Sequence, residues 1–310
     1  MIGDVLWIVT GLAALAIGGD ALVRGAVALA RHFRVTPAVI GLTVVAAGTS
    51  MPELVVSVVA ALQGSPDLAV ANVVGSNIFN IGLVLGLTGI VIVLPVARMT
   101  LRAEWPFLLV VTLIVVGLMK DATLGRIEGV FFLAVLTVFV VVMVRVARRE
   151  AAAAPGDLPA ADGVLRGTVY LLLGFALLVA GGKFVVDGAT GIALRAGLSE
   201  RVIGLTIVAM GTSLPELASS LVAALRGRSD VAVGNIVGSC IFNLLGILGA
   251  GAVLVPLTVS RDLYRADVWW MLGFTVLMAP LVYSDRKLGR PDGIVLATAF
   301  TAYIGFVLFG

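Results

Sequence analysis

Residues 40–80 and 203–243 are one segment written twice. The first reads IGLTVVAAGTSMPELVVSVVAALQGSPDLAVANVVGSNIFN and the second IGLTIVAMGTSLPELASSLVAALRGRSDVAVGNIVGSCIFN; at a constant offset of 163 they agree at 28 of 41 positions. The same offset aligns Gly18-Gly19 with Gly181-Gly182, and Arg102-Ala103-Glu104 with Arg265-Ala266-Asp267. Self-similarity at a fixed period marks a duplicated architecture. The copies are read as 1–147 and 166–310, joined by a flexible Ala/Pro/Gly/Asp linker over 148–165.

Each copy is too apolar to fold in water. The chain is 60% hydrophobic and 13% charged, with a mean hydropathy of +1.15, against about one quarter charged in a soluble domain. A helix that spans a bilayer needs roughly 20 apolar residues. Such stretches recur at about 3–30, 37–62, 68–95, 104–119, 125–147, 166–190, 200–225, 230–256, 266–283 and 290–309, which predicts an all-α membrane protein with ten transmembrane helices. The first stretch is read as a true span, because Met1-Ile2-Gly3-Asp4 lacks the basic start of a signal peptide. The single cysteine, Cys240, excludes an internal disulfide and a cysteine metal cluster.

Five spans per copy is an odd number, so the second copy must enter the membrane in the opposite sense. The expectation is therefore two inverted-topology five-helix repeats, a build common in secondary transporters, whose sites lie near the bilayer midplane at the repeat interface. Loops on the side opposite the termini hold thirteen Arg and Lys residues, including Arg31, Arg148, Arg226 and Arg290; the terminal side holds six, including Lys120 and Arg195. Positive charge collects on the cytoplasmic side, which puts both termini outside.

Glu53 and Glu216 fall near the middle of spans two and seven. An ionisable group at mid-membrane costs about 2.5–3.5 kcal/mol on insertion scales and by default marks a site or pathway. A protonated glutamate bonding between helices is the plain alternative for one such residue. Two at equivalent positions inside one repeated hexapeptide favour a shared site. Pro52 and Pro215 cannot donate to the carbonyls of Gly48 and Gly211, so the backbone of Gly48-Thr49-Ser50 and Gly211-Thr212-Ser213 should loosen beside the carboxylates. Freed carbonyls are tolerated in lipid only when buried or lining a cavity. Spans three and eight add Ser76 with Asn80 and Ser239 with Asn243, each pair on one helical face at i, i+4. The set is all oxygen donors, which suits hard cations such as calcium, and sodium takes the same ligands.

With those motifs in view, the chain resembles the calcium/cation antiporter superfamily, the sodium/calcium exchangers. Gly48-Thr49-Ser50-Met51-Pro52-Glu53 with Gly75-Ser76-Asn77-Ile78-Phe79-Asn80, and Gly211-Thr212-Ser213-Leu214-Pro215-Glu216 with Gly238-Ser239-Cys240-Ile241-Phe242-Asn243, are similar to the family's two α-repeats. The resemblance implies electrogenic exchange of sodium and calcium as transported substrates, with no organic cofactor and the lipid bilayer as setting. It implies that Glu53 and Glu216 serve both ions and that the Thr49 and Thr212 carbonyls hold calcium. Ser50, Ser213, Ser76, Ser239 and the carbonyls of Ala46 and Ala209 match sodium ligands, and Asn80 a central polar position. Asn243 departs from the branch that carries aspartate there, which speaks against potassium co-transport. Cys240, where the first copy has Asn77, is read as packing. A prokaryotic inner or plasma membrane is the expected location.

Spans one and six carry Asp20 with Arg24 and Lys183 with Asp187, both at i, i+4; they are candidates for a moving part, although a snorkelling pair near the interface explains the charges better. Glu104, Asp267, Glu128 and Asp292 near helix starts are read as structural. A proton-coupled cation antiporter is the alternative within transport, since paired glutamates also carry protons. A channel fits less well, because filters are usually symmetric rings. Enzyme activity is not expected: Ser50 or Ser213 as a nucleophile would need a base, and the only histidine, His32, lies in a basic loop.

Overall fold

The computed structural model describes residues 2–33, 35–153, 164–196, 209–283 and 286–309. Among these the first copy contains α1 (Ile2–Phe33), α2 (Pro37–Thr49), α3 (Met51–Leu62), α4 (Pro66–Val91), α5 (Thr100–Asp121) and α6 (Arg126–Ala153). The second contains α7 (Val164–Arg195), α8 (Leu214–Leu225), α9 (Ser229–Leu254), α10 (Asp267–Tyr283) and α11 (Arg290–Phe309). Seven described helices are long and apolar enough to cross a membrane, or eight if α2 and α3, bent by 44°, form one broken span. The span expected at 200–225 is described only in its second part, as α8. The helix α10 has 17 residues and contains Pro280, fewer than the roughly 20 a straight span needs. The predicted linker is partly helical, since α6 continues to Ala153 and α7 begins at Val164; its residues 154–163 lie outside the described set.

The α2–α3 break sits where the hexapeptide predicts it. Ser50 leaves the helical region (φ −83°, ψ 9°), and Pro52 lies in the first turn of α3. Ser213 does the same before α8 (φ −92°, ψ 7°). The turns after α3 and α8 place Gly64 at φ +86° and Gly227 at φ +71°, a left-handed conformation that only glycine adopts without strain.

The first helices of the two copies, α1 and α7, run in opposite directions. Gly11, Gly18 and Gly25 of α1 meet Gly181, Gly174 and Gly167 of α7 in descending order, and a Cβ on Gly25 would stand 2.5 Å from the Leu171 nitrogen. Small residues on both helices let the backbones approach this closely. Close glycine contacts between copies also occur where Gly86 of α4 packs on Gly293 of α11, and where Gly249 of α9 packs on Gly129 of α6. Two short antiparallel pairings repeat the pattern: β1 (Leu94–Pro95) with β4 (Lys287–Leu288), and β2 (Thr123–Leu124) with β3 (Leu257–Thr258). The centre of the bundle is α4 and α9, by far the most buried helices, while α1 and α7 lie at the periphery.

Candidate cation site

Both hexapeptides meet at the centre of the bundle, each donating to the carboxylate of the other. The Ser50 hydroxyl donates to Glu216 Oε1 at 2.8 Å, and the Ser213 hydroxyl donates to Glu53 Oε1 at 2.7 Å. Glu53 is 1% exposed and Glu216 is 0% exposed, and the two carboxylates lie within electrostatic reach of one another. Thr212 stands against Glu53, and Thr49 and Ser239 against Glu216. Each glutamate thus has one oxygen held and the other, Oε2, without a hydrogen-bond partner.

The paired motifs hold further buried atoms without partners. Besides the two Oε2 atoms, the Ser76 and Ser239 hydroxyls, both polar atoms of the Asn80 amide and Asn243 Oδ1 are buried without a hydrogen bond of normal geometry. Buried polar groups are almost always paired, so this concentration of oxygens needs a ligand class that satisfies it. No group of three His, Cys, Asp or Glu side chains suited to a metal occurs among the described residues. A cation here would rest on two carboxylates and neutral oxygens, a donor set that fits calcium or sodium.

The backbone reports a difference between the copies. The Ala46 carbonyl accepts from the Ser50 N–H at 3.0 Å and from the Thr49 hydroxyl at 3.3 Å, so both its lone pairs are engaged. In the second copy the Ser213 N–H goes instead to Met210 O, at 3.2 Å. Spans three and eight contain π-helical turns at Asn80–Leu85 and Phe242–Ile247. Such turns are rare and concentrate at functional sites; here they open the backbone where Asn80 and Asn243 project.

A supporting network lies behind the carboxylates. The Asn72 amide donates to Ser57 Oγ at 2.9 Å and to Glu53 O at 3.3 Å; the equivalent Asn235 donates to Ser219 and Ser220 at 3.0 and 2.9 Å. Asn235 Oδ1 in turn accepts from the Thr49 hydroxyl at 3.2 Å. Motif reading misses these residues because they lie outside the hexapeptides, although Ser57/Ser220 and Asn72/Asn235 are identical at the repeat offset.

Other charges hold the frame. Asp20 pairs with Arg24 at 2.8 Å and also with Arg226, from the other copy, at 2.5 Å. Lys183 and Asp187 pair within α7 at 2.7 Å, and Arg195 pairs with Asp4. Glu128 and Asp292 accept from Gly125 N at 3.0 Å and Gly289 N at 2.8 Å, capping their helices. Asp267 accepts from the Tyr303 hydroxyl at 2.8 Å. Glu104 is not at a free helix start: it lies fully buried within a π-helical turn and accepts from Thr100 at 2.6 Å.

Known proteins share this plan. The profile of the family described as sodium/calcium exchanger protein matches residues 4–145 and 166–309. The putative antiporter CaxA of Alkalimonas amylolytica is 40% identical over 98% of both chains. The inner membrane protein YrbG of Escherichia coli strain K12 is 38% identical over 97% of this chain and 95% of its own. A solved structure of the sodium-calcium exchanger NCX_Mj superposes with a TM-score of 0.86 at 32% identity, covering 99% of each chain. The matched family is one of transporters rather than enzymes, and the protein is an integral membrane cation antiporter. The chain belongs to the sodium/calcium exchanger family.

Proposed function

We propose that the chain exchanges sodium for calcium by alternating access to one midplane site shared by Glu53 and Glu216, with sodium entry driving calcium out. The observation that carries this reading is the reciprocal pair Ser50–Glu216 and Ser213–Glu53, with each carboxylate's second oxygen buried and without a hydrogen-bond partner. Two carboxylates neutralise one Ca²⁺. Sodium ions use the same carboxylates together with the serine hydroxyls and carbonyls, so the two substrates exclude each other and their fluxes are coupled. If three sodium ions enter per calcium, one net charge moves inward, worth about 2.3 kcal/mol per 100 mV.

The architecture we propose is ten spans in two inverted repeats, 1–147 and 166–310, with both termini outside a prokaryotic inner or plasma membrane. The antiparallel α1–α7 contact and the two cross-copy strand pairings support it, since each pairing joins loops that this topology puts on one side. The moving part is the α1–α7 pair, held together through its glycines. In this structure the pair leans on α8, with Gly19 facing Val222, whereas Val55 and Val59 on the equivalent face of α3 are exposed. That asymmetry supports access along α3 in this state and closure along α8.

The test is calcium uptake into proteoliposomes loaded with sodium. Uptake that needs the outward sodium gradient supports the reading; uptake driven equally by a proton gradient without sodium overturns the coupling.

A further inference from the structure

The two copies diverge at one buried polar position, and the divergence orients one amide of the site but not the other. The Asn243 Nδ2 donates to Asn77 Oδ1 at 3.2 Å, and Asn77 Nδ2 donates to Met271 Sδ at 3.7 Å. All three side chains are essentially inaccessible to solvent. A thioether is a weak acceptor and cannot donate, so the contact with Met271 favours the orientation that turns the NH₂ of Asn77 to the sulfur. Asn77 then offers Asn243 only its oxygen. Asn243 must answer with its own NH₂, and its Oδ1, on the other prong of the amide, is left buried and unpartnered. The orientation of Asn243 is dictated residue by residue, starting at a sulfur in α10.

The repeat offset gives the corresponding trio in the other half: Met271 becomes Leu108, Asn77 becomes Cys240 and Asn243 becomes Asn80. Leu108 has no polar atom, and Cys240 is a free, fully buried thiol lying against Asn80 and within electrostatic reach of Glu216. A neutral thiol is a weak donor and a weak acceptor, so it does not choose between the two faces of an amide. Both Asn80 Nδ2 and Asn80 Oδ1 lack a hydrogen bond of normal geometry and have only the weak contact with the Cys240 thiol, unlike the Asn243 amide, whose NH₂ is engaged.

We propose that Asn77 and Met271 are positioning residues that fix Asn243 as an oxygen donor to the transported cation, while Cys240 leaves Asn80 free to turn. The site then holds one rigid and one adaptable amide. Asn80 offers its oxygen to a bound cation, and its NH₂ to a carboxylate when the cation has left. This rests on the exchange reading above, and it accounts for a break in symmetry that the two-carboxylate picture leaves unexplained.

The experiment measures half-saturating calcium and sodium concentrations and maximal rate in proteoliposomes for the wild type, Asn77→Cys, Met271→Leu and the double variant Leu108→Met/Cys240→Asn. Asn77→Cys should raise the half-saturating concentration of at least one ion threefold or more, with maximal rate at saturation kept within twofold. Met271→Leu conserves volume and removes only the acceptor, so it should shift in the same direction even if Asn77→Cys folds poorly. The double variant builds the orienting chain in the other half and should lower the half-saturating concentration of the same ion. Half-saturating concentrations within threefold of wild type in both single variants, or a loss of maximal rate alone, overturn the assignment. Absence of sodium-driven calcium uptake in the wild type overturns the exchange reading instead. The positioning role is then judged from calcium and sodium affinities by calorimetry on the same proteins, and equal affinities in wild type and Met271→Leu overturn it.

Discussion

The Ser50 hydroxyl donates to the Glu216 carboxylate at 2.8 Å across 166 residues of chain, and its counterpart from Ser213 to Glu53 closes the exchange in the other direction. Neither Ser50 nor Ser213 bonds to the glutamate of its own hexapeptide. Each carboxylate accepts from the hexapeptide serine of the opposite repeat, so movement of one half against the other alters both ends of the site together.

Replacing either glutamate by glutamine keeps the shape and removes one of the two charges facing a divalent ion. Breaking one partner of a buried charged set costs about 3–5 kcal/mol, so Glu53→Gln and Glu216→Gln should each cut calcium flux by roughly a hundredfold or more. Radiolabelled calcium uptake checks this, with protein folding followed by size-exclusion profile. Normal flux in both variants would sink the site assignment.

Ser50→Ala and Ser213→Ala each remove a hydrogen bond to a charged group, worth about 1.5–3 kcal/mol. The half-saturating cation concentration should rise about ten- to hundredfold in each. Because the two contacts mirror one another, the two variants should shift by similar amounts; a large effect from one and none from the other would contradict the reciprocal arrangement.

The α1–α7 contact predicts a stability effect far from the site. A Cβ on Gly174 would come within 2.6 Å of the Leu22 nitrogen, whereas one on Gly117 has nothing within 4 Å. Overpacking typically costs about 1–3 kcal/mol. Gly174→Ala should lower the melting temperature of the detergent-solubilised protein by several degrees, and Gly117→Ala should leave it unchanged or raise it.

Arg226 ties the end of α8 to Asp20 on α1, and the first copy has Gln63 in its place. Both side chains are partly exposed, which limits the pair to about 0.2–1 kcal/mol. Arg226→Gln should therefore change the ratio of apparent calcium affinities on the two membrane faces by no more than about fivefold, with maximal rate little altered. A collapse of activity would mean that the arginine does more than hold α1.

Much of this is legible in the residues alone. The duplication, the paired glutamates and the oxygen-only donor set follow from the offset of 163 and from mid-span position. The crossed pairing is not, because Ser50 and Glu53 are neighbours in sequence and only the helix crossing sends Ser50 to Glu216. Reading Cys240 as packing agrees with its burial, but the same substitution hides the polar role of Asn77, whose partners Met271 and Asn243 lie in other helices. The Asp20–Arg24 pair is visible at i, i+4; Arg226, two hundred residues on, is not. The π-helical turns at Asn80 and Asn243 carry no periodicity signal, since the apolar pattern of α4 and α9 is continuous through them.

The central claim is one cation site made jointly by Glu53 and Glu216. Calorimetric titration of the purified protein with calcium, with and without sodium, tests it most directly. The account predicts one calcium per chain, competition by sodium, and loss of binding in Glu53→Gln and in Glu216→Gln alike. Two independent calcium sites, or full binding retained when both glutamates are replaced, would contradict it.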